Sequence, residues 1–199
     1  MALLMVYGIR LSGKKLPLLI LPLTTIGYAA PGAVLGIGIL VPLAFLDNWL
    51  ADRVFDFTGY DPGLIFTGTA FAVILAYCVR FFSIAQQTVD GALGRVSPSL
   101  PNAARSLGRN KLQVLWEIYR PLISASTATA LLLVFVDCVK ELPATMLLRP
   151  FNFETLATRV HVQASLEDLP NAAPGAILIV LLGLCAVFLL ARVTKQISN

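Results

Sequence analysis

Pro174-Gly-Ala-Ile-Leu-Ile-Val-Leu-Leu-Gly-Leu-Cys-Ala-Val-Phe-Leu-Leu-Ala-Arg-Val193 carries a single charged side chain, Arg192. A run of about 20 mostly apolar residues is what an α-helix needs to cross a bilayer, because the helix satisfies its own backbone hydrogen bonds in hydrocarbon. Three more stretches read the same way: Ala30 to Leu50, Leu64 to Ile84 and Leu122 to Val139. Composition agrees. The 199 residues are 57% hydrophobic and 13% charged, against about 25% charged in soluble domains. Four spans consume about 80 residues, which leaves no room for a large soluble catalytic domain. The fold class is all-α, a polytopic membrane helical bundle. Met1 to Ile9 is apolar but too short to cross, and it lacks the basic start and cleavage site of a signal peptide. It reads as the cut end of a helix, so the chain is expected to be part of a longer protein, with four full spans and a truncated one.

The breaks between spans have sequence causes. Leu16 to Ile26 contains Pro17 and Pro22 and is followed by Gly27 and Pro31, so it reads as an interfacial helix or elbow, with Pro31 at a helix start. Gly32 and Gly36 then form a G-x-x-x-G pattern that allows close helix packing.

Charge placement gives orientation. If the segments before Pro31, between the second and third spans and after the fourth share one side, that side holds Arg10, Lys14, Lys15, Arg80, Arg95, Arg105, Arg109, Lys111, Arg120, Arg192 and Lys195, or 11 of the 15 basic residues. Its acids are Asp90 and Glu117. By the positive-inside rule this side is cytoplasmic, with Arg80 and Arg120 snorkelling from span ends. The modest basic excess is thereby topological, with no nucleic-acid partner implied. Cys78, Cys138 and Cys185 are far apart in apolar runs and His161 is the only histidine, so no metal-ligand spacing exists. No nucleophile and base constellation exists either. Gly8 to Lys15 imitates the start of a phosphate loop, but Lys15 replaces the needed Ser or Thr and no strand precedes it. ATP hydrolysis and other catalysis are not expected of this chain.

The cytoplasmic segment from Gln86 to Pro121 is much longer than a connection needs, and long segments in compact domains are usually functional. Asn102 to Leu107 reads as a short helix, Gly108 as its C-terminal breaker, and Lys111 to Tyr119 as a resumed helix. The result is a knob with small residues Ala103 and Ala104 and apolar anchors Leu107, Leu112 and Leu115. A basic loop lying on anionic lipid is the plainer reading of the same charges.

This loop resembles that of the permease subunits of binding-protein-dependent ABC importers, whose pattern is E-A-A, three residues, G, nine residues, I, one residue, L-P. Asn102-Ala103-Ala104, Gly108, Ile118 and Pro121 stand at that spacing. Asn102 replaces the acid and Arg120 the leucine. The resemblance implies the type I permease fold in a bacterial cytoplasmic (inner) membrane. It also implies a loop, with Arg105 and Leu107 among its contacts, that docks on a dimer of separate ATPase subunits. Those partners would bind the ATP and Mg, and this chain would hold no cofactor. A periplasmic or lipoprotein substrate-binding protein and a second permease half are the other implied partners, besides the lipid bilayer.

Val136-Asp-Cys-Val-Lys-Glu-Leu-Pro-Ala-Thr-Met-Leu-Leu-Arg-Pro-Phe-Asn-Phe153, followed by Thr155-Leu-Ala157, looks like the corresponding region of iron(III)-type permeases, and maps the chain onto the C-terminal half of a fused permease. Iron(III) is the substrate this implies; thiamine, polyamines and phosphonates are carried by related permeases. Asp137, Lys140 and Glu141, spaced i, i+3 and i, i+4, fall on one helical face. Together with Pro143 they are candidates for a translocation pathway or gate near the outer end of a span. A structural Asp137–Lys140 ion pair is the equal alternative. The outer segment from Lys140 to Ala173 is expected to hold an amphipathic helix around Glu154 to Leu166, ended before Pro170, serving as a gate, a platform or plain surface packing. Two other functions compete with the ATP-driven one. One is an ion-gradient-driven carrier using Asp137, and the other is a half-permease that folds without completing a pathway.

Overall fold

A computed structural model describes residues 1–12 and 22–198. The helices, in order, are α1 (Ala2–Ser12), α2 (Leu23–Ala29), α3 (Gly32–Thr58), α4 (Ala70–Arg95), α5 (Ser99–Ser106), α6 (Lys111–Val114), α7 (Arg120–Leu122), α8 (Ser124–Val139), α9 (Pro143–Leu148), α10 (Leu156–Ser165) and α11 (Leu169–Ser198). A π-helical turn, Leu115–Tyr119, joins α6 to α7. No strand occurs among the described residues. Three helices are long and apolar enough to cross a membrane: α3, α4 and α11 over Leu169–Arg192. A fourth crossing is the pair Lys111–Leu122 and Ser124–Val139, bent by 72°.

The bundle is organised around α4, which packs against α1, α2, α3, α8 and α9. Thr69 caps its start by accepting a hydrogen bond from the Phe71 amide, which sets the first residue at Ala70 rather than Leu64. Its far end runs through Gln86 to Arg95. The first third of the expected loop is therefore a continuation of the span. One apolar cluster gathers Val6, Val89, Ala92, Leu93 and Ile123 at that end, and a second gathers Ala72, Val73, Ala76, Ala144 and Leu148 at the other.

Three expectations change here. Residues 13–21 of the elbow segment lie outside the described residues, but α2 packs along α4 instead of lying at an interface. An alanine Cβ at Gly27 would sit 2.4 Å from the Val79 carbonyl oxygen, so only glycine permits that approach. The corner at Ala30-Pro31 separates α2 from α3. The first span does not stop at Leu50. It runs to Thr58, where Gly59 closes it at φ +67°, and at about 1.5 Å per residue its last turns project beyond the start of α4.

The segment after Lys140 is not simply external. Six of its residues form α9, which sits against α3 and α4 with Ala144, Thr145 and Leu148 buried. The amphipathic helix appears as α10, started by a reciprocal Thr155 and Thr158 capping box. Pro170 begins the next helix, since proline suits the first turn where no donor is needed. That helix, α11, packs on α10 and α8. Its other faces present Ile177, Val180, Leu184 and Val187, the surface of a helix surrounded by lipid or another membrane helix.

Candidate functional site

The loop beyond Arg95 folds as two capped helices. The Gly108 amide bonds the Arg105 carbonyl at 3.0 Å and the Arg109 amide bonds the Ala104 carbonyl at 3.1 Å, the Schellman arrangement that satisfies the orphan carbonyls of α5. It requires a left-handed residue, and Gly108 has φ +82°. Two residues later Asn110 and Gln113 form a reciprocal capping box, the side chain of each accepting from the other's amide at 2.8 and 2.9 Å. Arg109 Nε then lies 3.1 Å from Glu117 Oε2 across the turn.

The knob offers Asn102, Ala103, Arg105, Leu107 and Gly108 to solvent, with Leu107 84% exposed. Leu112, Trp116, Arg120 and Pro121 continue the exposed surface, and the Arg120 guanidinium lies over the Trp116 ring at 5.0 Å. Two expected contact residues turn inward instead. Ala104 faces its own fold, and Leu115 is fully buried beside Val114. Ile118 is half-buried.

Helix α1 braces this knob. Tyr7 is buried, donates its hydroxyl to the Lys111 carbonyl at 2.7 Å and stacks edge-on to Tyr119 at 5.4 Å. Burial raises its phenol pKa above the ordinary value. Arg10 donates from Nε and Nη2 to Asp90 Oδ1 at 2.9 and 2.7 Å, and from Nη2 to the Asp90 carbonyl. The knob, α1 and the end of α4 are thereby one unit.

A second site lies inside the bundle. Tyr77, Arg80, Ser83 and Gln86 recur every third residue along α4, a row that winds slowly round the helix and meets different neighbours along its length. The Tyr77 hydroxyl meets Thr145 Oγ1 at 2.6 Å, and Gln86 Oε1 accepts from Thr24 at 2.9 Å. Between them Arg80 Nε lies 3.1 Å from Glu141 Oε2. That contact lacks the alignment of a hydrogen bond, so it is a charge contact. Arg80 Nη1 donates to the Ala30 carbonyl at 3.1 Å and Glu141 Oε1 accepts from the Ala144 amide at 3.2 Å. Arg80 is ten residues into α4, about 15 Å from its start at helical rise and so near the middle of a hydrocarbon core of about 30 Å. An isolated charge there costs about 2.5–3.5 kcal/mol on insertion scales, which explains why both charges are paired.

This arrangement revises two readings. Arg80 does not snorkel to an interface but points into the bundle. Glu141 does not share a face with Asp137, because α8 ends at Val139 and the chain turns before i, i+4 geometry can apply. Asp137 does pair with Lys140, at 2.7 Å. Pro143 is exposed at the start of α9, beside the glycine pair. An alanine Cβ at Gly32 would lie 2.8 Å from Glu141 Oε1 and 3.3 Å from Pro143 Cβ. One at Gly36 would lie 3.0 Å from Leu147 Cδ1. Gly32 and Gly36 thus seat α9 against α3.

Asp47 lies inside the apolar run of α3. It is fully buried and accepts from the amides of Ile65, Phe66 and Thr67 at 3.1, 2.9 and 2.6 Å and from the Thr67 hydroxyl, fixing the loop that leads into α4. An acid inside an apolar run was the available signal. For the polar row along α4 the signal was the period of three. Among the described residues no three His, Cys, Asp or Glu side chains gather as metal ligands.

The family described as binding-protein-dependent transport system inner membrane component matches residues 1–199. The chain belongs to this family. This permease is 34% identical over 124 residues to the Fe(3+)-transport system permease protein FbpB 2 of Haemophilus influenzae, covering 62% of this chain and 24% of that protein. It is 28% identical over 161 residues to the ferric transport system permease protein FbpB of Actinobacillus pleuropneumoniae, covering 79% of this chain and 22% of that one. A Salmonella typhimurium protein named "Putative 2-aminoethylphosphonate transport system permease protein PhnV" is 28% identical over 174 residues, covering 86% of this chain and 58% of that one. The permease spans about a quarter of the length of the ferric relatives. It is a multi-pass inner-membrane component of the ABC type I class, and the family is one of transporters rather than enzymes.

Proposed function

We propose that this permease forms part of the translocation path of an ATP-driven importer for ferric iron and is coupled to a separate ATPase through the Asn102–Pro121 loop. The observation that carries the reading is the knob itself. Its backbone is held by a Schellman turn at Gly108 and a capping box at Asn110, and its exposed Leu107, Leu112 and Trp116 have no use in a loop that only connects two helices. Apolar anchors on a rigid projection suit a groove in a partner. The brace through Tyr7, Asp90 and the α8 end gives partner movement a path to the membrane helices.

Substrate would pass through weak contacts along the path, with tight capture left to a soluble binding protein. Ferric relatives support iron, and the phosphonate relatives set the comparison to make. The test is uptake of radiolabelled ferric iron by membrane vesicles carrying the whole permease, its ATPase and its binding protein, with 2-aminoethylphosphonate as competitor. ATP-dependent uptake that disappears on deleting Asn102 to Gly108 is expected. Unchanged coupled uptake after that deletion removes the docking role, and phosphonate uptake without iron uptake removes the substrate assignment.

A further inference from the structure

Two links between helices approach each other in this bundle, and one side chain touches both. The corner between α2 and α3 falls at Ala30-Pro31, and the break between α8 and α9 covers Lys140 to Leu142. Arg80, in the middle of the unbroken α4, donates to the Ala30 carbonyl at the first and faces the Glu141 carboxylate at the second. Gly32 makes room for this meeting, since any Cβ there would collide with Glu141 Oε1. We infer that Arg80 and Glu141 form a latch that pins α9 onto the first turns of α3, and that the latch opens during the transport cycle.

The chemistry of the contact favours a reversible role. A contact meant to be permanent is made at least as well by apolar side chains of similar volume. An ion pair differs in responding to water. It is strong while the surrounding helices exclude solvent and weak once water enters, because the attraction scales inversely with the local dielectric. A latch of this kind is tight when the interior is closed and releases as an aqueous path forms beside it. The element it holds is suited to move. Helix α9 is six residues long, is joined to α8 by a three-residue link, and rests on α3 and α4. Its remaining holds are the Tyr77–Thr145 contact, the packing of Gly36 against Ala144 and Leu147, and the burial of Ala144 and Leu148 against Ala72, Val73 and Ala76.

The cycle part of this inference rests on the transport reading above, and the pinning part does not. Cys78, Cys138 and Cys185 are first replaced by alanine, and Gly36→Cys and Leu147→Cys are introduced into the full chain. A Cβ at Gly36 lies 3.4 Å from Leu147 Cβ, near the roughly 3.5–4.5 Å span of a disulfide, and the Leu147 change removes the Cδ1 atom that would crowd it. Mild oxidation in native membranes should crosslink α3 to α9 rapidly. Adding Arg80→Gln with Glu141→Gln, which leaves no unpaired charge, should slow crosslinking several-fold at unchanged membrane content. Arg80→Lys, which keeps the charge but cannot reach both Ala30 and Glu141, should fall between and serves if the double variant does not accumulate. In the complex with its ATPase, ATP with vanadate should slow the crosslink. Once formed, the crosslink should block ferric uptake until a reductant is added.

Equal crosslinking rates with and without the pair overturn the latch. Rates insensitive to ATP in a complex that does transport, or wild-type uptake by the double variant, overturn its opening in the cycle. A wild-type complex with no ATP-dependent uptake overturns the transport reading instead, while the comparison of crosslinking rates still decides whether the pair pins α9.

Discussion

Arg80 Nε stands 3.1 Å from Glu141 Oε2, joining the centre of one continuous membrane helix to the link between α8 and α9. The pair predicts a specific pattern of stabilities. Removing one partner of a buried ion pair strands the other charge and typically costs about 3–5 kcal/mol, whereas removing both is often close to neutral. Arg80→Gln and Glu141→Gln should each lower the thermal unfolding midpoint of the purified permease markedly, and the double variant should recover most of the loss. Additive losses in the double variant would mean that the two groups do not pair.

Gly32 allows that pair to form at all. Gly32→Ala brings a methyl group to 2.8 Å from Glu141 Oε1, an overpacking of the kind that costs about 1–3 kcal/mol. Gly38 has open space around it, so Gly38→Ala should leave the same unfolding midpoint unchanged or slightly raised. A ranking in which Gly38→Ala is the more damaging would contradict the seating of α9.

Asp47 should behave as a structural carboxylate. Its oxygens receive three backbone amides and the Thr67 hydroxyl, and each buried donor left without a partner costs about 1–3 kcal/mol. Asp47→Ala should therefore destabilise by more than about 2 kcal/mol. It should also raise amide exchange over residues 65–67, with little effect at the knob. Protection of those amides equal to wild type would show that Asp47 does not hold the loop.

Tyr7 links α1 to the knob. Tyr7→Phe keeps the ring contact with Tyr119 and deletes the bond to the Lys111 carbonyl, a change worth about 0.5–1.5 kcal/mol. Amide exchange in Lys111–Val114 should rise while the α3–α9 region stays unchanged. A uniform rise across the molecule would mean global destabilisation and no local brace.

The sequence made the membrane class legible because hydropathy over about 20 residues is a strong signal. Pro174 to Val193 lies within a helix as read. The knob was legible too, since Gly108 and the apolar and polar pattern around it act locally. What escaped depended on partners distant in the chain. The packing of α2 along α4 was hidden because it rests on the approach of Gly27 to Val79, distant in the chain. Arg80 read as a snorkelling cation because its partner is 61 residues away in sequence. Glu141 read as part of the Asp137 face because the end of α8 at Val139 is set by tertiary fit and carries no glycine or proline. Leu115 read as an anchor because it shares helical spacing with Leu112, yet it is fully buried while Leu112 is exposed.

The central claim is that the Gly108 knob transmits ATPase closure to the membrane helices. The most direct measurement is ATP hydrolysis by the reconstituted complex, with and without iron-loaded binding protein, for wild type and Gly108→Pro. Proline is locked near φ −65° and cannot adopt the +82° that Gly108 holds, so the knob loses its shape while the transmembrane helices keep theirs. The account predicts substrate-stimulated hydrolysis in the wild type, and a complex that loses the ATPase or hydrolyses without stimulation in the variant. Stimulation of equal size in both would contradict it.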